Sequence, residues 1–440
     1  MRVLGSDHDS KDSQLASPHI SARRPLRILL PEGSSTSARQ LLYCLQPDDV
    51  VDILDPNPLC QCRFALRCRR WYRCPRFARD PLDYLRFLVE RLKAEKYDVL
   101  LPSHEQAYLL SRVGQRLGEL VGLALPKFEA LQRMQDKAEF IRLLDEIGFS
   151  HPPTTIVRWR DDLLRASEFP CFVKTAHGTA GLGVHEVVSR EILERIANQL
   201  ENVGYLNGNG EVLIQRPATG ELSVAFAIFQ RGQLVAHHMT RVRQYGVGNI
   251  ARESVEHAGV ADDLSQIGAY LNWHGAFFMD YFFDEATGNR QYIEANPRLG
   301  ELINARLCGA NLCEQMIRVS LGEDVQPLPI GKTSVRSHQG YLLGLAAAVN
   351  GRSRAQVLGE VLRACCQHDD YKNSVDELVR PKEDIGSVLP AGVVLAQLAI
   401  SPRFAQRIVR RAVEDYGLPG PAARAIAELP AERLAACFEV

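Results

Sequence analysis

The sequence predicts an α/β unit followed by a larger α+β region, and three observations carry that prediction. Between Leu26 and Leu125, short apolar runs alternate with amphipathic helical patterns, as a parallel sheet with helices on its faces requires. Between Thr154 and Glu294, strand-like runs succeed one another with few crossover helices, the pattern of a largely antiparallel sheet. From residue 326 onward the pattern is mostly helical.

The elements follow in order. Residues 1–25 are polar with no apolar stretch of the secretory kind, and read as a flexible leader. "LRILLPEG" from Leu26 is a short buried strand and a turn, and a helix follows around Ala38 to Cys44. "VVDIL", a helix from Asp80 to Lys96, "DVLLP", a helix from Glu105 to Leu117 and "VGLALP" complete the α/β domain, 26–125. The helix in "QDKAEFIRLLDEIG" stops at Gly148, with Pro152 and Pro153 beyond it. The strands "TTIV", "CFVKT", "EVLIQR", "ELSVAFAIF", "QLVAHHM", "AFFMDYFF" and "RQYIEAN" then build the second domain, 126–325, and 326–440 form the helical extension.

Composition bounds the function. At 440 residues the chain makes two or three domains, and a formal charge of −1 offers no global field for nucleic acid or an anionic membrane. No apolar run approaches the roughly 20 residues of a membrane span. A cytoplasmic protein with thiol cysteines is expected. Cys60, Cys62, Cys68 and Cys74 sit in the arginine-rich "LCQCRFALRCRRWYRCPR". Their spacing suits zinc poorly, and a nucleic-acid arm is a second option. A solvated basic connection is the favoured reading.

The chemistry gathers around "FVKTAHGTAGLGVHEV" from Phe172. The only "GKT", Gly331 to Thr333, has Gln326 where a Walker A loop needs glycine. The dinucleotide fingerprint fails at Glu186. What remains is a glycine-rich loop between two antiparallel strands, with Lys174 on the first strand. Gly178, Gly181 and Gly183 allow close backbone approach to phosphate, although a plain hairpin turn would look the same. Downstream, "QYIEANPRLGE" puts Glu294 and Asn296 on one side of a strand, Arg298 lies past its end, and the preceding strand offers Asp280. Such an oxygen-only set suits magnesium.

Lys137 in "DKAEF", the lysine and glycine loop, the hinge "VLIQRPATGELSV" and the terminal D…E-x-N-x-R set together resemble an ATP-grasp enzyme. The likeness is to the group around the carbamoyl-phosphate synthase large chain and the carboxylate-amine ligases, and it covers roughly residues 26–325. It implies a Rossmann-like N-terminal domain and two α+β subdomains clasping ATP, here with a helical C-terminal extension. It further implies that Lys137 and Lys174 hold the α- and β-phosphates while the loop from His177 through Gly178, Thr179 and Gly181 to Gly183 folds over the β- and γ-phosphates. Gln215, Arg216 and Ala218 would take the adenine edge, and Glu221 the ribose. Asp280, Glu294 and Asn296 would bind Mg2+, or Mn2+, and Arg298 would stabilise the transferred phosphoryl group.

The loop "TRVRQYGVGNIARESVEH" offers Arg241, Arg243 and Arg252 for a carboxylate or leaving phosphate, or else forms a solvated basic hairpin. Ser103, His104 and Glu105 follow a strand of the first domain, where ligands of parallel sheets bind. The implied reaction joins a small-molecule carboxylate to an amine, with no nucleic-acid or membrane partner and with a homodimer as a possible assembly. A phosphotransferase on a hydroxyl, or a nucleotide-binding regulator, are the alternatives.

Overall fold

Apolar strands short enough to be buried on both faces open the described part of the chain. A computed structural model describes residues 23–439 apart from 179, 180, 182 and 247, so nearly all of the expected leader lies outside the described residues. Strands β1 (Arg27–Leu30), β2 (Val50–Leu54), β3 (Cys68–Tyr72) and β4 (Val99–Leu100) form a parallel sheet in the order β3-β2-β1-β4. Ser35 caps the helix Thr36–Cys44, its hydroxyl accepting from the Ala38 amide at 3.0 Å. "VGLALP" makes only an isolated bridge, Val99 to Gly122. The helix expected from Glu105 to Leu117 is broken into Gln106–Ser111 and Gly114–Gly118.

The cysteine- and arginine-rich segment is not a solvated connection. It supplies β3, and Cys60, Cys62 and Cys74 are buried thiols. Arg69 bonds Asp52, and Arg70 pairs with Glu95 at 2.5 Å, so the arginines serve neighbouring carboxylates. Among the described residues, no group of three or more His, Cys, Asp or Glu is placed to hold a metal. No helix among them is long and apolar enough to cross a membrane.

Two further sheets follow. Strands β5 (Thr154–Trp159), β6 (Cys171–Thr175), β7 (Val184–Val187) and β8 (Asn207–Gln215) make an antiparallel sheet in the order β5-β8-β6-β7. The large sheet takes β9 (Glu221–Gln230), β10 (Gln233–Gly246), β11 (Gly248–Val255), β12 (Gly275–Phe283) and β13 (Arg290–Asn296). It adds two short strands from the extension, β14 (Arg336–His338) and β15 (Val375–Asp376), in the order β13-β12-β9-β10-β11-β14-β15. The segment "TRVRQYGVGNIARESVEH" is therefore a long hairpin of β10 and β11 rather than a loop. One apolar core runs from Leu29 and Tyr84 of the first domain to Phe277 and Met279 of β12, and takes in Leu418 and Ile426 of the extension.

Candidate functional site

The helix Lys137–Ile147 begins where it does because the Asp136 carboxylate accepts from the Ala138 and Glu139 amides, at 2.8 and 3.1 Å. Lys137 is thereby its first residue. Its amide donates to the Ala176 carbonyl at 2.9 Å, which ties the helix start to the root of the glycine loop. Its Nζ then lies 2.9 Å from Glu294 Oε1 and 3.4 Å from the Gly178 carbonyl.

Lys174, on β6, is brought to the same charged group. It is buried, and its Nζ donates to Gln215 Oε1 at 2.6 Å, while the Gln215 amide donates to Thr154 Oγ1 at 2.9 Å. Burial lowers the Lys174 amine to about 8, against the pull of Glu294 and with the push of Lys137. The Gln215 side chain therefore aims the lysine, which leaves base recognition to the backbone that follows.

Pairing register brings the carboxylates together. Asp280 on β12 stands opposite Glu294 on β13, with Asn296 two residues further along β13. Burial and the neighbouring Glu294 raise the Asp280 carboxyl to about 7, and its Oδ1 has no hydrogen-bond partner among the described residues. Arg298 Nη2 donates to Asn296 Oδ1 at 3.1 Å, its Nε lies 3.5 Å from Glu105 Oε1, and its guanidinium covers the Phe278 ring. Glu105, buried and also bonded by Gln135 at 2.9 Å, thus links the end of the parallel sheet to the site. Ser103 and His104 are buried beside it, with the His104 ring edge-on to Tyr416. A buried, unsatisfied carboxylate oxygen beside a second carboxylate and an amide oxygen is a donor set that fits a hard divalent cation.

The other expected residues divide. His177 Nε2 lies 3.3 Å from Asp136 at the loop root, and Gly181 and Gly183 have φ of 76° and 83°, the region glycine favours. Thr179 lies outside the described residues. Arg216 reaches outward to Glu168 at 3.3 Å while its amide bonds Pro153, and Ala218 follows it in the connection to β9.

Arg241 and Arg243 are not brought to the carboxylates. Thr240, Val224, Asp280 and Glu294 form one cross-strand row, so Arg241, the next residue on β10, faces the other side of the sheet, where it pairs with Glu221 at 2.5 Å. Arg243 sits at a bulge, half-exposed, with Glu253 at 3.6 Å. Arg252 takes the face of Asp280 instead. It is buried, bonded to Glu301, and 3.2 Å from Glu377.

Glu301 and Glu377 were not visible as site residues in the sequence. Thr36 donates to Glu301 at 2.5 Å and Gln339 at 2.6 Å, while Gln40 and Ser337 donate to Glu377 at 2.7 and 2.6 Å. This network binds the first domain, the large sheet and the extension around one buried arginine. The only sequence signal for it was the position of Glu301 three residues beyond Arg298.

No protein-family model matches the chain. It is 22% identical over 240 residues to the arginine-specific large chain of carbamoyl phosphate synthase of Bacillus subtilis (strain 168), over 50% of this chain and 22% of that one. The chain thus spans about a fifth of the length of that curated relative. In overall shape it is similar to an ADP complex of N5-carboxyaminoimidazole ribonucleotide synthetase, with a TM-score of 0.56 and 15% identity, over 76% of this chain and 86% of that one. The chain has the ATP-grasp fold. A second ATP-grasp structure, the biotin carboxylase domain dimer of Hydrogenobacter thermophilus 2-oxoglutarate carboxylase with MgADP, ADP and bicarbonate, matches with a TM-score of 0.55 at 15% identity, over 72% of this chain and 74% of that one. The ATP-grasp likeness rests on shape. Residue roles rest on the geometry just described.

Proposed function

We propose that the chain is an ADP-forming ligase that activates a carboxylate with ATP and joins it to an amine. The observation that carries the reading is the convergence of Lys137, Lys174, Asp280, Glu294, Asn296 and Arg298, from the helix start, the four-stranded antiparallel sheet and the large sheet, on one another. Lys137 and Lys174 hold the α- and β-phosphates, and the glycine loop covers the β- and γ-phosphates. The backbone from Arg216 to Ala218 takes the adenine edge, whereas Glu221, expected at the ribose, pairs with Arg241 on the sheet face away from Asp280. Asp280, Glu294 and Asn296 hold magnesium, or manganese, which when bound neutralises charge on the transferring phosphoryl group.

In the first step a substrate carboxylate oxygen attacks the γ-phosphorus, the bond to ADP breaks, and an acyl phosphate forms. Arg298 stabilises the charge on that phosphoryl group. In the second step the amine nitrogen attacks the acyl carbon, inorganic phosphate leaves, and the nitrogen loses a proton. Positioning and electrostatics supply the rate, and no protein nucleophile takes part. The reading is supported by the two structural neighbours, one carrying MgADP and bicarbonate and the other ADP. A homodimer accords with the dimer named for the first of them. The domain limits 26–125, 126–325 and 326–440 and a cytoplasmic location go with it.

The test is release of ADP and phosphate from MgATP over pools of carboxylates and amines, with Glu294→Ala as the blank. ADP and phosphate that need both acid and amine establish the ligase. ADP without free phosphate, beside a phosphorylated product, replaces it with the phosphotransferase, and AMP as product rules out the acyl phosphate.

A further inference from the structure

The end of the C-terminal extension is held firmly on the first domain. Arg112 Nη2 donates to the Leu429 carbonyl at 2.6 Å, Arg116 to that of Ala435 at 3.1 Å and Lys93 to that of Phe438 at 2.7 Å. Leu418, Ala423, Ile426 and Leu434 are buried in the core shared with the first domain. The helix Gly420–Ala427 therefore has a defined seat.

That seat touches the nucleotide loop through Tyr205. A Cβ added to Gly420 would lie 2.3 Å from the Tyr205 hydroxyl and 3.7 Å from Arg424 Nη1, so ring and guanidinium converge on one point of the helix. The Tyr205 hydroxyl in turn meets the Thr175 side chain at the loop root, where Thr175 Oγ1 donates to the His177 carbonyl at 2.7 Å. A Cβ at Gly183 would come within 2.2 Å of that same Thr175 oxygen. His177, partly buried, keeps a buried Nδ1 with no hydrogen-bond partner among the described residues. Its ring is held below the usual histidine range by burial, against the pull of Asp136, and by the positive charges of Lys137 and Arg424. Arg424 itself is exposed, and its guanidinium makes no hydrogen bond or ion pair among the described residues. An uncommitted arginine beside the loop that would cover the phosphates is free to donate to a phosphate oxygen in a charge-assisted pair.

We propose that Arg424 is a nucleotide-binding residue, contributed by the C-terminal extension to the triphosphate of ATP alongside Lys137, and that the extension thereby completes the site. The inference rests on the ATP reading above. It gives the extension a role that the sequence did not reveal.

The experiment is titration of the full chain with ATP and with ADP, each with magnesium, followed by calorimetry, for the wild type, Arg424→Ala and Arg424→Lys. Arg424→Ala is expected to weaken ATP about tenfold, as loss of one charge-assisted hydrogen bond does, with the melting temperature of the empty protein unchanged and Arg424→Lys recovering part of the loss. Unchanged ATP affinity in Arg424→Ala overturns the proposal while leaving the ATP reading intact. A wild-type chain that binds neither nucleotide overturns both. If Arg424→Ala melts early, Arg424→Lys decides, since an arginine that only braced the helix would leave its affinity at the wild-type value.

Discussion

Asp280 and Glu294 stand directly opposite one another on β12 and β13, two carboxylates in adjacent strands with Lys137 2.9 Å from the second. Like charges in that relation repel and cost stability in the empty protein. Function and stability are thus opposed at this pair. Asp280→Asn is expected to melt no lower than the wild type, with a gain of up to about 1 kcal/mol. The same variant is expected to lose magnesium-dependent ADP release by at least about 100-fold, as for loss of an electrostatic group that acts on the transition state. Thermal melts and an ADP assay on one preparation check both halves, and a variant that melts early yet turns over normally would show the pair to be structural.

Gln215 predicts a different outcome. Its oxygen receives Lys174 and its amide reaches Thr154, so Gln215→Leu leaves a buried amine and a hydroxyl without these partners. That costs about 1–3 kcal/mol. The KM for ATP is expected to rise with kcat changed less, because the lysine is displaced rather than removed. Lys174→Ala is expected to lower both kcat and affinity. Steady-state kinetics of the two variants side by side separates aiming the lysine from supplying its charge.

Much of this was legible in the sequence, and the failures have physical causes. Strands of strict alternation and helices with plain caps were readable because local pattern decides them, as Asp136 and Gly148 do for the helix that begins at Lys137. Asp280, Glu294 and Arg298 were readable because charge at the end of apolar strands is hard to explain otherwise. Arg241 was misplaced because parity along a strand, not proximity in sequence, sets which face a side chain takes. Strand β3 was missed because its arginines look like solvent-facing charge until Asp52 and Glu95 are seen beside them. Glu377 and Arg424 were out of reach because only tertiary packing brings residues of the extension to a site built so far upstream in the chain.

Gly183 has φ of 83° and no room for a side chain, since a Cβ would meet Thr175 Oγ1 at 2.2 Å. Gly183→Ala is expected to raise the KM for ATP about tenfold or more, because the loop can no longer close onto its root. Gly351 provides the control. It has φ of 76°, with open space where its Cβ would go, and lies far along the chain in the extension. Gly351→Ala is expected to cost about 1–2 kcal/mol of stability from the left-handed conformation alone and to leave KM for ATP untouched. Equal effects of the two substitutions on KM would remove the loop from nucleotide binding.

His238 sets a pH dependence of its own. Its Nε2 lies 2.8 Å from Asn304 Oδ1, and burial lowers the ring to about 4, with the Asn304 hydrogen bond opposing and the charges of His237 and Arg252 adding to the effect. A base whose folded value lies below its unfolded one contributes stability that is fully present above the ordinary value of 6.5 and is lost as pH falls toward about 4, because only the unfolded chain takes up the proton in that window. The loss reaches about 3 kcal/mol at most. His238→Gln keeps a donor for Asn304 and cannot titrate. Denaturant melts at pH 7.0 and pH 5.0, values chosen to bracket the transition at about the ordinary histidine range, should show the wild type losing more stability than the variant across that interval. Parallel losses in the two proteins would assign the acid sensitivity to other buried groups, of which the Arg252, Glu301 and Glu377 network is the first to examine.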